Sequence, residues 1–287
     1  MKGLVVKGIA GFYYVKTENG TYRCRARGIF KKLGVAPTVG DSVEIEALKD
    51  GSAVVNSIGE RKNEFIRPLV SNVDCFIVVV AAAKPEPNFL TVDRFLAMAE
   101  KNGAGAAICI NKTDIANEGQ VAAIKRAYER TYPVICTSAL AEGGVDGLKA
   151  FLKSGKYAFA GPSGVGKSTL LNALQPSASA ETGEISRKTL RGKHTTRHTE
   201  IFELEGGTLV YDTPGFTSLD IFGVPTGELQ HLYPEIAEMY GQCKYKNCTH
   251  TKEAECAVIE AVKAGGIHES RYNSYKEIFN EIAGSRR

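Results

Sequence analysis

The chain has 287 residues, 43% of them hydrophobic and 24% charged, with a formal net charge of +4. That is room for one large core or two to three small ones, at an ordinary globular composition. Without an apolar run near the ~20 residues of a membrane span, and with MKGLVVKGIAGFYY too short and interrupted for a secretion signal, a membrane or secreted protein is excluded and a cytoplasmic monomer is expected.

Residues 1–62 read as all-β. FYYVKT and TYRCRAR flank Glu18-Asn19-Gly20, and Asn-Gly between alternating segments signals a hairpin. SVEIEAL and SAVVNSI follow, separated by Lys49-Asp50-Gly51. Five short strands predict a small barrel of the OB type. Phe12, Tyr13, Tyr14, Tyr22, Arg23 and Arg25 are candidates for RNA contact and equally for core, and periodicity does not separate the two. Basic residues crowd CRARGIFKK (24–32) and SRKTLRGKHTTRH (186–198), and the chain ends Ser285-Arg286-Arg287. Each patch alone reads equally as solvated charge, but together they suit an anionic partner.

Residues 63–222 alternate strand and helix signals. CFIVVVAAA has the continuous apolar character of a strand buried on both faces. Helix TVDRFLAMAEKNG, strand AAICIN, helix QVAAIKRAYERT, strands PVICTS and YAFA, helix KSTLLNAL and strand TLVYD follow, predicting a doubly wound α/β domain. The seven cysteines are expected to be reduced thiols. Cys75, Cys109 and Cys136 lie in apolar runs and read as buried core, and Cys24 falls in a predicted strand.

Three motifs in this segment carry chemistry. GPSGVGKST spans Gly161, Pro162, Ser163, Gly164, Val165, Gly166, Lys167, Ser168 and Thr169, between a predicted strand and helix, the context a phosphate-binding loop needs. Its glycines let successive N–H groups point inward around phosphate oxygens, Lys167 faces the β- and γ-phosphates, and Ser168 offers a hydroxyl to Mg2+. VYDTPG ends a strand with Asp212, a second Mg2+ anchor, and Gly215 is placed to donate its N–H to a γ-phosphate. NKTD, Asn111-Lys112-Thr113-Asp114, ends strand AAICI as a guanine reader. Asp114 can accept two N–H bonds from the guanine edge, Asn111 can contact the base, and the Lys112 stem can cover it. Thr137-Ser138-Ala139 fits the companion loop. The conjunction favours GTP over ATP, so GTP/GDP and Mg2+ are the expected cofactors.

The base reader precedes the phosphate loop, the reverse of an ordinary GTPase. In an open parallel sheet the loops gather at the carboxyl edge whatever their order, so the arrangement reads as a circular permutation. It sends the chain from DTPG directly into the C-terminal segment.

Residues 223–287 show helical patterns at EIAEMYGQ, AECAVIEAVKAG and RYNSYKEIFNEIAG. Between the first two, Cys243, Cys248, His250 and Cys256 fall within fourteen residues. Three thiolates and an imidazole make a closed set of the structural-zinc kind. His231 and His268 lie outside the cluster and are expected at the surface.

Taken with the β-barrel, NKTD, TSA, GPSGVGKST, GKHTTRHT, DTPGF and the Cys/His cluster, the chain resembles the circularly permuted bacterial GTPases called ribosome small-subunit-dependent GTPase A. The resemblance implies an OB-fold domain (1–62), a permuted GTPase domain (63–222) and a zinc-binding helical domain (223–287) holding one structural Zn2+. It also implies late maturation of the small ribosomal subunit through contact with its rRNA, with GTP hydrolysis stimulated by that subunit. Many GTPases orient the attacking water with a glutamine after DxxG, but here Phe216 follows Gly215 and the next glutamine is Gln230. Intrinsic hydrolysis is therefore expected to be slow. His194 is a candidate to position water, or else an RNA contact, and Thr195 or Thr196 is placed to close over Mg2+. The competing functions are a GTP-dependent RNA-binding switch with negligible turnover and a P-loop enzyme phosphorylating a small acceptor. The guanine reader disfavours the latter.

Overall fold

Alternating apolar and polar residues become strands where a hairpin turn lets them pair. The computed structural model describes residues 1–49, 51–66, 68–175, 199–212 and 223–284. Strands β1 (Lys2–Ile9), β2 (Phe12–Thr17) and β3 (Gly20–Ala26) form an antiparallel meander. A short helix α1 (Gly28–Lys32) leads to β4 (Ser42–Ala47) and β5 (Ala53–Ile58). β5 pairs with β3 and β4, and β4 returns to β1, so the five strands close into an OB-type barrel without a free edge. Val5, Val15, Cys24, Val43, Ile45, Ala53 and Val55, none more than 3% exposed, fill it. That core is aliphatic. Phe12, Tyr13, Tyr14 and Tyr22 stay half-buried, and the guanidinium carbons of Arg23 and Arg25 lie 3.6 and 4.7 Å from the Phe12 ring centre.

A hairpin that sequence periodicity did not reveal, β6 (Glu64–Ile66) and β7 (Leu69–Ser71), follows the barrel. Then come β8 (Cys75–Ala81), α2 (Phe89–Lys101), β9 (Gly105–Asn111), α3 (Glu118–Tyr128), β10 (Val134–Cys136), α4 (Asp146–Phe151), β11 (Gly155–Ala160), α5 (Lys167–Leu174), β12 (Glu200–Glu203) and β13 (Thr208–Asp212). Helices α6 (Pro234–Ala237), α7 (Ala257–Lys263) and α8 (Glu269–Gly284) complete the described chain. Helix starts follow local chemistry: Asn88 accepts a bond from the Thr91 N–H, and Asn117 with Gln120 forms a capping box.

The chain divides into two compact units, one drawn from residues 1–74, 152–159 and 170–216, the other from 75–151, 160–169 and 217–287. In the first, β1 pairs with β12, β12 with β13, and β13 runs parallel to β11. The barrel is tied to β13 by buried polar groups. Tyr211 donates its hydroxyl to the Ser71 carbonyl at 2.5 Å, and Ser71 donates to Asp41 at 2.6 Å. Asp41, fully buried, also receives Arg61 at 2.8 and 2.7 Å and the Thr38 N–H at 2.7 Å. Gly40, at φ +102°, sits in this joint because a Cβ there would lie 2.1 Å from the Ser71 carbonyl and 2.3 Å from Tyr211 Oη.

In the second unit β8, β9 and β10 are parallel neighbours. Against α2 packs a C-terminal core of Leu229, Tyr233, Ile236, Val258, Ile267, Tyr275 and Ile278. Arg271, 2% exposed, donates to Asp93 of α2 at 2.7 Å and to Glu235 at 2.6 and 3.1 Å. No described helix is long and apolar enough to cross a membrane. Two cysteine expectations need correction. Cys109 is fully buried and burial pushes its thiol up to about 12, but Cys75 is half-buried and Cys136 exposed. Among described residues β10 pairs only with β9, so its last side chain is left uncovered. The helix expected over EIAEMYGQ stops at Ala237, before the chain turns at Gly241 (φ +80°) toward Cys243.

Candidate nucleotide site and metal centre

Parallel pairing of β9 with β10, Ile110 opposite Cys136, brings the loops after both strands together. Asn111, 1% exposed, is their common anchor. Its Oδ1 accepts from Thr137 Oγ1 at 3.1 Å and the Ala139 N–H at 3.3 Å. Thr113 donates its N–H and Oγ1 to the Thr137 carbonyl at 3.2 and 3.1 Å. Ser138, 7% exposed, donates to Asp114 Oδ1 at 2.6 Å, orienting a carboxylate on an exposed residue.

The same four residues grip the phosphate loop. Asn111 Nδ2 donates to the Val165 carbonyl at 2.9 Å. Lys112, in the left-handed region at φ +62°, reaches the carbonyls of Gly164 and Lys84, both at 2.7 Å. The structure therefore brings residues 111–114, 137–139 and 161–169 into one hydrogen-bonded assembly, despite the reversed order along the chain. Lys84 was not singled out from the sequence. Its contribution is a main-chain oxygen, which no residue pattern announces.

Backbone geometry in the phosphate loop requires its glycines. Gly161 sits at φ +139° with Val79's carbonyl 2.4 Å from where a Cβ would be, and Gly164 at φ +80°. Gly166, at φ +97°, would place a Cβ 2.3 Å from Asn111 Nδ2. Val165 is buried, Pro162 and Thr169 are half-buried, and Ser163 and Ser168 are exposed. Lys167 opens α5 and folds its Nζ onto the carbonyls of Gly161 and Pro162, at 2.6 and 2.8 Å. Burial lowers its pKa to about 8, a desolvation that the negative charge of phosphate oxygens offsets. Asp212, half-buried, ends β13 in the first unit, and β13 runs parallel to the strand that leads into the phosphate loop. His194, Thr195, Thr196 and Gly215 lie outside the described residues.

The four sequence-predicted metal ligands do converge. The donor atoms of Cys243, Cys248, His250 and Cys256 all lie within 4.8 Å of one another. Cys243 Sγ is 3.8 Å from Cys256 Sγ and 3.5 Å from His250 Nδ1, which is 3.4 Å from Cys256 Sγ. Metal–sulfur bonds of ~2.3 Å in a tetrahedron give sulfur–sulfur edges of about 3.8 Å, so the set fits a tetrahedral thiophilic ion. His250 Nε2 donates to Gln230 Oε1 at 2.9 Å, which leaves Nδ1 unprotonated toward the thiols. Gln230, the first glutamine after DxxG, thus serves His250.

The knuckle is held from outside by residues the sequence did not mark. Tyr272 and Tyr275 donate to the carbonyls of His250 and Thr249, each at 2.9 Å. Burial pushes the Glu253 carboxyl up, but hydrogen bonds from Thr249 and the Lys252 N–H outweigh it and hold it at about 2. His231 is exposed, as expected, and His268 is half-buried against Ser270.

Residues 58–222 match the RsgA GTPase family and residues 2–55 the RsgA N-terminal domain. The small ribosomal subunit biogenesis GTPase RsgA of Agathobacter rectalis is 43% identical to the chain, across 98% of each. Among solved structures, YjeQ from Thermotoga maritima is similar with a TM-score of 0.84 at 36% identity, covering 99% of this chain and 98% of that one. YloQ, described as a circularly permuted GTPase, is similar with a TM-score of 0.80 at 36% identity, covering 100% and 96%.

Proposed function

The chain belongs to the RsgA family of GTPases, and we propose that it binds the small ribosomal subunit and its rRNA, assists the subunit's late maturation and hydrolyses GTP on that partner. The observation that carries the nucleotide part is the pair of bonds from Asn111 to Val165 and from Lys112 to Gly164. They couple a carboxylate suited to the guanine edge to a glycine loop suited to phosphates. The relative's name carries the ribosomal part. On this reading the working parts are an rRNA-binding barrel (1–62), the GTPase domain (63–222) and a zinc-held helical domain (223–287), in a cytoplasmic monomer.

The residues take the following roles. Asp114 reads the guanine edge, oriented by Ser138. Asn111 and Thr137 fix the loop, and Ala139 closes it. The N–H groups of residues 161–169 and the N-terminus of α5 receive the phosphates, and Lys167 places its charge on the β- and γ-oxygens. Ser168 and Asp212 supply the oxygen donors that suit Mg2+. Mg2+, when bound, neutralises charge developing on the phosphate oxygens. His194 positions the attacking water, Thr195 or Thr196 closes over the metal, and Gly215 senses the γ-phosphate. With Gln230 committed to His250, hydrolysis without the partner is slow.

The test is GTP turnover with and without purified small ribosomal subunits. Stimulation of at least tenfold is expected, and His194→Ala should lose it by ~10²-fold, the scale of general acid–base assistance, while retaining nucleotide affinity. Stimulated turnover unchanged in that variant would remove His194 from the mechanism. Binding with no turnover under either condition would favour the RNA-binding switch, which the distant glutamine supports.

Zinc, when bound, cross-links the knuckle. Elemental analysis is expected to find one zinc per chain and none after joint Cys243→Ser and Cys248→Ser substitution. A chelator should raise hydrogen exchange first in residues 243–256 and the adjoining α8, since so small a segment has little core of its own. A full zinc complement in the double variant would refute the ligand assignment.

A further inference from the structure

Among the described residues the most exposed large aliphatic side chain is Leu140, at 85%. A single exposed leucine ordinarily calls for no explanation. This one directly follows the two residues that hold the base reader: Ser138 donates to Asp114, and the Ala139 N–H donates to Asn111. Ile115, next to Asp114 in the chain, is itself 59% exposed.

Leu140 is also held rigidly. The Ser138 N–H donates to the Gly144 carbonyl at 2.8 Å, Ala141 to Ser138 at 3.0 Å, and Gly144 to Ala141 at 3.1 Å. A Cβ at Gly144 would lie 2.0 Å from the Ser138 carbonyl, so the turn closes as tightly as backbone allows. An apolar side chain fixed in water beside an oriented carboxylate has already met its ordering cost before a ligand arrives.

A purine presents two kinds of surface. Its edge is polar and suits Asp114, while its faces are apolar and lose water on binding. The Lys112 ammonium is tied to the carbonyls of Gly164 and Lys84, which stretches its four-carbon stem from the base loop to the phosphate loop as one apolar track. Leu140 enters from the other side of the loop pair, after β10. We propose that Leu140 is a purine-covering residue, buried by the guanine base of the bound nucleotide. The proposal rests on the guanine-nucleotide reading above. Because GTP and GDP share the base, Leu140 supports affinity for both and leaves the choice between bases to Asp114.

Calorimetric titration of the full-length protein with GDP and with a non-hydrolysable GTP analogue tests this. Leu140→Ser is expected to weaken both about tenfold, the loss of one partly buried leucine side chain. Leu140→Met should bind within about twofold of the unsubstituted protein, since it restores apolar area. The preference for guanosine over xanthosine diphosphate should not change in Leu140→Ser. Asp114→Asn runs alongside it. Xanthine has a carbonyl where guanine has its amino group, so this substitution should move preference toward xanthosine diphosphate. If Leu140→Ser binds both nucleotides as the unsubstituted protein does while Asp114→Asn shifts base preference, the Leu140 assignment fails and the guanine site stands. If Asp114→Asn changes nothing, the guanine reading fails, and the Leu140 proposal with it.

Discussion

Gly166→Ala is expected to weaken GDP and GTP binding at least a hundredfold, about 2.7 kcal/mol. Two penalties coincide at this position. Gly166 adopts φ +97°, which a residue with a Cβ enters only with strain. The new methyl would also lie 2.3 Å from Asn111 Nδ2. Asn111 cannot retreat, because it is 1% exposed and its Oδ1 is held by Thr137 and Ala139. The phosphate loop must move instead, breaking the Asn111–Val165 bond and misaiming the N–H groups and Lys167 together. Gly164→Ala separates the two penalties. Gly164 has φ +80°, but its nearest neighbour is a Pro85 ring carbon at an ordinary 3.8 Å. That variant should lose roughly tenfold or less, the strain alone. Titration of both variants with GDP decides the matter, and a Gly166→Ala affinity within threefold of the unsubstituted protein would mean that the base loop does not brace the phosphate loop.

Arg271→Ala is expected to cost about 3–5 kcal/mol of stability, the usual consequence of stranding a buried charge. The guanidinium is 2% exposed and its partner Asp93 fully buried, with Glu235 on its other edge. Tyr128, Tyr132 and Tyr233 surround it, ring centres 5.7, 5.6 and 4.6 Å from the guanidinium carbon. Burial already raises the Asp93 pKa against the opposing pull of Arg271. Without the arginine that pKa rises further. A carboxyl whose folded pKa exceeds its unfolded value favours folding while protonated, and loses that stability as pH rises from the unfolded toward the folded pKa. The deficit of Arg271→Ala should therefore shrink as pH falls from 7 toward 5, and joint Asp93→Asn substitution should recover part of it at neutral pH. Denaturant unfolding at both pH values, followed by exchange of α2 and α8 amides, gives the readout. A deficit under 1 kcal/mol would show that the cluster contributes little to joining α8 to α2.

Much of the candidate site was legible in the residues because its chemistry is local. A backbone that must turn through positive φ at Gly161, Gly164 and Gly166 needs glycine there. A lysine and a serine must open the following helix, and a base reader must end a strand. The four donors of the metal centre lie within fourteen residues, so their chemistry was visible before their geometry. The hairpin after Thr17, the aliphatic strand runs and the start of α5 at Lys167 were legible for the same reason.

Other features depended on partners far apart in the chain. Asn111 braces the phosphate loop through a carbonyl 54 residues away, and a main-chain acceptor leaves no mark in a residue pattern. Gln230 is named by its distance from DxxG but explained only by His250 beside it. Tyr211 looked like one more apolar residue of a buried strand until its hydroxyl met Ser71, 140 positions earlier. Cys136 shares the apolar run of PVICTS yet faces outward, because exposure is set by which neighbouring strands exist. Arg271 sits in a helix whose pattern predicts only a surface charge, and α2, 178 residues away, makes it a buried one. Residue types and short spacings thus determined the chemistry available to this chain, since backbone conformation and ligand type are properties of a few adjacent residues. Folding decided which of those groups support one another, because burial and hydrogen-bond partnership exist only between surfaces brought together from distant parts of the chain.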